Sequence, residues 1–139
     1  MATEELIVRK MMYENDAFSQ WLGIEFISIE PGKVELKMQI REEMTNGFKI
    51  AHGGIAFSLA DSALAFSSNT HGIQSVTIET TTSFIKPLKE GEWVTAKATE
   101  IQLSGKFGRY LIEIFNDSGN LTAVFYGTVF RTGKPWIKS

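Results

Sequence analysis

A chain of 139 residues can bury a core without disulfides or a structural metal, and this one holds no cysteine, which excludes thiolate nucleophiles and cysteine-type zinc sites. Apolar residues make up 43 %, charged residues 22 % and the formal net charge is −2. This is the balance of an ordinary soluble domain covering residues 1–139, and it argues against nucleic acid as a partner, because phosphate binding needs a basic patch. No apolar run reaches the ~18 residues of a membrane span, and MATEELIVRK lacks a secretory apolar region, so a cytoplasmic protein with no membrane partner is expected.

In chain order, residues 3 to 21 read as helical, with Leu6, Ile7, Met11 and Met12 at helical spacing and Trp21 and Leu22 closing a second apolar group before Gly23. Pro31-Gly32 marks a hairpin turn. After it, KVELKMQI alternates Val34, Leu36, Met38 and Ile40 with polar residues, the pattern of a half-buried strand. A helix follows from Gly54 to about Asn69. Residues 74 to 86 form a strand that sets Val76, Ile78 and Phe84 on one face and stops at Pro87. Strands over 92–103, 107–116 and 121–131 complete the chain, separated by turn signals at Glu90-Gly91, Ser104-Gly105 and Asp117-Ser118-Gly119-Asn120. The layout α–β–β–α–β–β–β–β predicts an α+β protein, with the last four strands in an antiparallel meander and the sheet wrapped around the central helix.

Several familiar motifs fail. There is no G-x-S-x-G elbow; Gly127, Gly133 and Lys134 have the wrong spacing for a phosphate loop, and Pro135 stands where a Ser or Thr is required. His52 and His71 are the only histidines, and neither has a second ligand at metal spacing, so no metal is expected.

The central helix holds the residues that most suggest chemistry. Gly54, Ser58, Asp61, Ala65 and Ser68 form a narrow stripe of small and polar residues, which reads either as the wet face of an amphipathic helix or as a functional face. Its start, AHGG, offers unpaired N–H groups at the positive end of the helix dipole, and glycine at 53 and 54 leaves those amides open to a ligand. An oxyanion developing on a carbonyl suits such a place. Asn46 could add a second donor, although Asn46-Gly47 also reads as a plain turn and Gly53-Gly54 as a loop-to-helix junction. Asp61 lies seven residues beyond Gly54, roughly 10 Å along the axis, too far to serve a carbonyl held at its own helix start. If both act on one substrate, the carboxylate comes from a second copy, across a two-fold dimer.

The stretch N-G-F-K-I-A-H-G-G-x-x-F-S-L-A-D resembles the 4-hydroxybenzoyl-CoA-type hotdog thioesterases, and within them the PaaI branch linked to phenylacetate degradation. The resemblance extends upstream through MYENDAFSQWLGIEFISIEPG and downstream through SVTIETTTSFIKPLKEGE. It implies a hotdog fold, a long helix wrapped by a curved antiparallel sheet, with an N-terminal helix. It implies acyl-CoA as substrate and homodimers with shared active sites, pairing into homotetramers. No separate cofactor is implied, because coenzyme A belongs to the substrate. On this pattern the Gly53 amide, assisted by Asn46, polarises the thioester carbonyl, and Asp61 of the partner chain activates water or attacks directly. Thr77 helps position that water, unless it is a strand threonine chosen for β propensity. His52 orients the turn or bonds to substrate. Phe48, Phe57 and Leu64 are candidates for the acyl pocket, or else core residues. Lys86, Lys89, Lys106 and Arg109 are candidates for the CoA phosphates, or else solvated charges. Two alternatives stay open: a non-catalytic acyl-CoA-binding hotdog protein, and a hotdog hydratase or dehydratase, whose Asp-x₅-His pattern this sequence lacks.

Overall fold

Period-two alternation makes strands with one buried face. The computed structural model, which describes residues 1–138, assembles them into one antiparallel sheet of six. The strands are β1 (Glu25–Glu30), β2 (Lys33–Gln39), β3 (Ile73–Phe84), β4 (Trp93–Ser104), β5 (Phe107–Phe115) and β6 (Leu121–Pro135), in the spatial order β1-β2-β4-β5-β6-β3. Val34, Leu36 and Met38 of β2, Val94 and Ala96 of β4, and Tyr110, Ile112 and Ile114 of β5 point to the buried inner face. The sheet wraps around α3 (Gly53–Asn69), giving the hotdog arrangement. Ala56, Ala60 and Ala63 let the helix lie close to the sheet, and Gly127 of β6 leaves room for it. A Cβ at Gly127 would fall 2.5 Å from Leu64 Cδ2. No helix among the described residues is long and apolar enough to cross a membrane.

Three expectations change. The last four strands do not form a meander: β4, β5 and β6 do, while β3 sits beyond β6 at the sheet edge. The segment between β3 and β4 causes this. It passes the start of α3, where Leu88 is buried and its carbonyl accepts from the Ala51 N–H at 2.7 Å, so β4 emerges beside β2.

The N-terminal helix is also not continuous. It comprises α1 (Thr3–Glu5), a π-helical segment Leu6–Met12, a 3₁₀ turn Tyr13–Asn15, and α2 (Ala17–Leu22). Asp16 breaks it, because its side chain accepts from the Ser19 N–H at 3.0 Å and caps α2, the role aspartate prefers over a helix interior. Gly23 ends α2 in the left-handed conformation, φ 77°.

Finally, Val76 and Phe84 do not share a face. Thr77 pairs with Val129 and Glu79 with Thr128, so Ile78 is an extra residue, a bulge. Beyond it the alternation reverses: Thr77, Thr80, Thr82 and Phe84 lie opposite Val129, Gly127, Phe125 and Ala123, on the inner side, and Val76 faces outward.

Candidate active site

The start of α3 is built by its cap. The His52 side chain accepts the Gly54 N–H on Nδ1 at 3.0 Å, and its carbonyl accepts the Ile55 N–H at 2.8 Å. The Gly53 N–H finds no acceptor among the described residues, and Gly53 borders a pocket of about 360 Å³. Asn46 borders the same pocket. Its Oδ1 is held by the backbone N–H groups of Phe48, at 2.9 Å, and Ile50, at 3.5 Å, which leaves Nδ2 as the available donor. Ile50, Phe84 and Leu88 supply apolar walls, and Lys86 supplies a cation. Two donors at the positive end of a helix, in a partly apolar cleft, can hold developing negative charge on an oxygen.

Asp61 is elsewhere. Eight residues beyond Gly53, it lies about 12 Å along the axis, half-buried, and no described residue donates to its carboxylate. Burial raises its pKa above the ordinary carboxylate value, and the charge of Asp16 raises it further. Thr77 is level with it: β3 runs back along α3, Thr77 stands about 13 Å past Ile73, and Asp61 about 12 Å before Asn69. The candidates therefore fall into two separate groups within the chain. Asn46, His52, Gly53 and Lys86 gather at one end of α3; Asp61 and Thr77 lie midway along it.

The remaining candidates scatter. The Gly54 N–H is already taken by His52, and Gly54 borders a neighbouring groove with Phe18, Trp21 and Ser58. A Cβ at Gly54 would stand 3.1 Å from His52 Nδ1, so glycine there serves the cap. Phe48 is 85 % exposed on its loop, and Phe57 packs edge-on against Phe125, ring centroids 5.3 Å apart. Leu64 corrects an expectation: it is wholly buried over Gly127, a core residue and not a pocket wall. Lys89 is exposed on a turn outside the pocket lining, its N–H donating to Glu92 Oε2 at 2.7 Å. Lys106 and Arg109 lie at the opposite end of the sheet from the pocket. Gly108 between them pairs with Val129, which in turn pairs with Thr77. Arg109 donates to Thr128 Oγ1 at 3.2 Å.

Sequence reasoning missed Phe84 and Asp16. A Cβ at Gly53 would approach the Phe84 ring to 3.3 Å, a contact across thirty residues of chain that no local pattern reveals. Asp16 did leave a signal, the Asp-x-x-Ser spacing of a helix cap, but not its effect on Asp61.

Gly53, Asp61 and Thr77 all fall within residues 48–123, which match the family model described as the Thioesterase superfamily. The chain belongs to this family. It is 38 % identical to the acyl-coenzyme A thioesterase PaaI of Escherichia coli (strain K12) over 122 residues, covering 88 % of this chain and 87 % of the relative. The solved structure of the E. coli PaaI protein from the phenylacetic acid degradation operon matches with a TM-score of 0.91 at 36 % identity, covering 95 % of this chain and 96 % of that one. The TT0310 protein of Thermus thermophilus matches with a TM-score of 0.81 at 37 % identity, over 84 % and 98 % of the two chains. These likenesses put this hotdog thioesterase in the PaaI branch.

Proposed function

We propose that the protein hydrolyses the thioester of an acyl-CoA, with an aryl-acetyl or related acyl group, to free acid and CoA, at sites shared between two copies of the chain. The observation that carries this is the Gly53 N–H, unpaired at the head of α3 and about 12 Å from the Asp61 carboxylate of its own chain. An antiparallel second copy supplies the missing half. The Gly53 N–H and Asn46 Nδ2 hydrogen-bond the thioester oxygen and favour the tetrahedral oxyanion. Asp61 of the second copy takes a proton from water as it adds to the carbonyl carbon, or attacks that carbon itself to give, once CoA has left, an anhydride that water then hydrolyses to the free acid and Asp61. Thr77 beside Asp61 positions the water. The oxyanion then collapses, the C–S bond breaks, and the CoA thiolate leaves and is protonated. A carboxylate whose pKa is raised by burial is a stronger base than a solvated one, which suits this task. His52 maintains the donor end as its cap. Lys86 flanks the pocket, and Lys106 and Arg109, lying toward the Thr77 end of the sheet, would flank the composite site from the second copy.

The free edge of the sheet supports the pairing. β3 is twelve residues long, open on its outer side, and leaves Val76 and Ile78 more than half exposed, a surface that monomers avoid. Association of dimers into tetramers, and residence in the cytoplasm, belong to the same proposal. The names of the relatives favour acyl-CoA thioester substrates, and the operon named for the E. coli protein favours aryl-acetyl chains. A panel of aromatic and aliphatic acyl-CoAs, assayed for free thiol, tests the reading. Thiol release fastest with aryl-acetyl-CoA is expected. Binding without thiol release would make the protein a silent acyl-CoA binder, and hydration of an enoyl-CoA instead would make it a hydratase; either result overturns the proposal.

A further inference from the structure

Ser62, the neighbour of Asp61 on α3, is joined to the N-terminal segment by a polar chain that the reaction scheme above does not use. Asp16, at the break in the N-terminal segment, caps α2 with Oδ1 on the Ser19 N–H, at 3.0 Å, and takes the Ser19 hydroxyl on Oδ2, at 2.6 Å. Ser19 Oγ lies 2.9 Å from Ser62 Oγ on α3, and both serines are buried. The single Ser19 hydroxyl proton is committed to the carboxylate, so Ser62 must donate to Ser19. Hydrogen-bond direction along the chain is thus set, from Ser62 to Ser19 to the Asp16 carboxylate, which accepts at its end. Ser62 directly follows Asp61 in α3. The network therefore anchors a fixed negative charge against the turn of helix that carries the base.

Building on the thioesterase reading, we infer that Asp16 is a positioning residue for the reaction. Its carboxylate, tied to α3 through Ser19 and Ser62, sets the electrostatic surroundings of Asp61. A capping role alone needs no such link, since Oδ1 already serves the backbone of α2. Charged groups on the other elements packed around α3 include Arg9 of the π-helical segment, Lys37 of β2, Glu79 of β3, Glu100 of β4, Arg109 of β5 and Arg131 of β6. Beyond burial, the charge of Asp16 raises the pKa of the Asp61 carboxyl, the direction that disfavours its ionised form. The device holds Asp61 as a more basic carboxylate than burial alone would make it. A second copy adds its own groups to this face equally in the wild type and in every variant, so their comparison isolates Asp16.

The test uses the full chain and two readouts: the pH dependence of kcat/KM, and a carbon NMR titration of the Asp61 carboxyl in the resting protein. Asp16→Asn keeps an N-cap of equal quality through Oδ1 and removes the charge. Its Nδ2 donates to Ser19 Oγ where Oδ2 accepted, so the Ser19–Ser62 bond reverses but persists. Asp16→Ser, another neutral cap, serves if that variant folds poorly. In either, the acid limb of the rate profile and the NMR midpoint should both move to lower pH. Asp16→Glu restores the charge with an inferior cap, and should move both back toward the wild type even where it costs thermal stability. A midpoint for Asp61 unchanged in the neutral variants would overturn the inference, as would one that follows thermal stability and not charge. The NMR midpoint requires no turnover, so it tests Asp16 even where the thioesterase reading fails. That separate failure would show itself as an Asp61→Asn variant with wild-type hydrolysis.

Discussion

Asp61 is a carboxylate in a poor place for a carboxylate. Half-buried, with no donor among the described residues and with Asp16 nearby, its ionised form is disfavoured in the folded state. Asp61→Asn should lower kcat by ~10² or more, the scale of losing an acid–base group, as followed by thiol release. The same substitution should not weaken the fold. A carboxyl whose folded pKa stands above its ordinary value of 3.8 favours folding only in its protonated form. That contribution is present below pH 3.8 and is lost as pH rises through the folded pKa, so at neutral pH the ionised group opposes folding. Thermal melts should therefore show Asp61→Asn at least as stable as the wild type at neutral pH, with any gain shrinking on acidification toward 3.8. A variant clearly less stable at neutral pH would mean that Asp61 has a hydrogen-bonded structural role.

At the scale of elements, the proposed function rests on α3 and β3 together. The helix is held by its cap and by Leu64 seated over Gly127, and its donor end opens because His52 takes the Gly54 N–H and leaves that of Gly53. β3 supplies Thr77 on the inner side through its bulge and presents the long open edge. A lysine on that edge opposes strand pairing between copies, the device by which natural edges avoid association. Ile78→Lys should leave the circular dichroism of the fold intact, because Ile78 is 55 % exposed, and should shift the protein to monomer in sedimentation with loss of hydrolysis. A stable, fully active dimer in this variant would place the functional pairing on another surface.

At the scale of the molecule, the proposed sharing of sites between two chains asks for a complementation experiment. Asp61→Ala removes the carboxylate, and Gly53→Pro removes the N–H donor at a first helical position, where proline is tolerated. The ring meets Phe84, but that side chain is 59 % exposed at a strand end and can give the few tenths of an ångström required. Each homodimer should be nearly inactive, once shown to be folded and dimeric. After the two are unfolded and refolded together, about half the dimers should be mixed, each with one intact site and one doubly damaged. Activity should then return to roughly a quarter of wild type, as two-fold symmetry requires. No recovery would mean that Gly53 and Asp61 act within one chain, or not together.

Much of this was legible in the residues, because it rests on local rules. The alternation in KVELKMQI, the turn residues between strands and the alanine-rich run after His-Gly-Gly determined the elements, and the family resemblance implied their hotdog arrangement. The axial gap between Gly54 and Asp61 follows from helix geometry alone and already separates donor from carboxylate. Other features depend on groups far apart in the chain, and only the tertiary structure decided them. Strand order is one: β3 goes to the sheet edge because the chain between β3 and β4 must pass the head of α3 and bury Leu88. The bulge at Ile78 is another, since a one-residue slip reverses every later side chain and shows only against its partner strand. Leu64 reads identically as a pocket wall or a core residue until Gly127 is found beneath it. Asp16 reads as a helix cap until α2 folds onto α3 and, through Ser19 and Ser62, brings its charge to Asp61. Local conformation follows from neighbours in sequence; a site follows from which surfaces burial forces together.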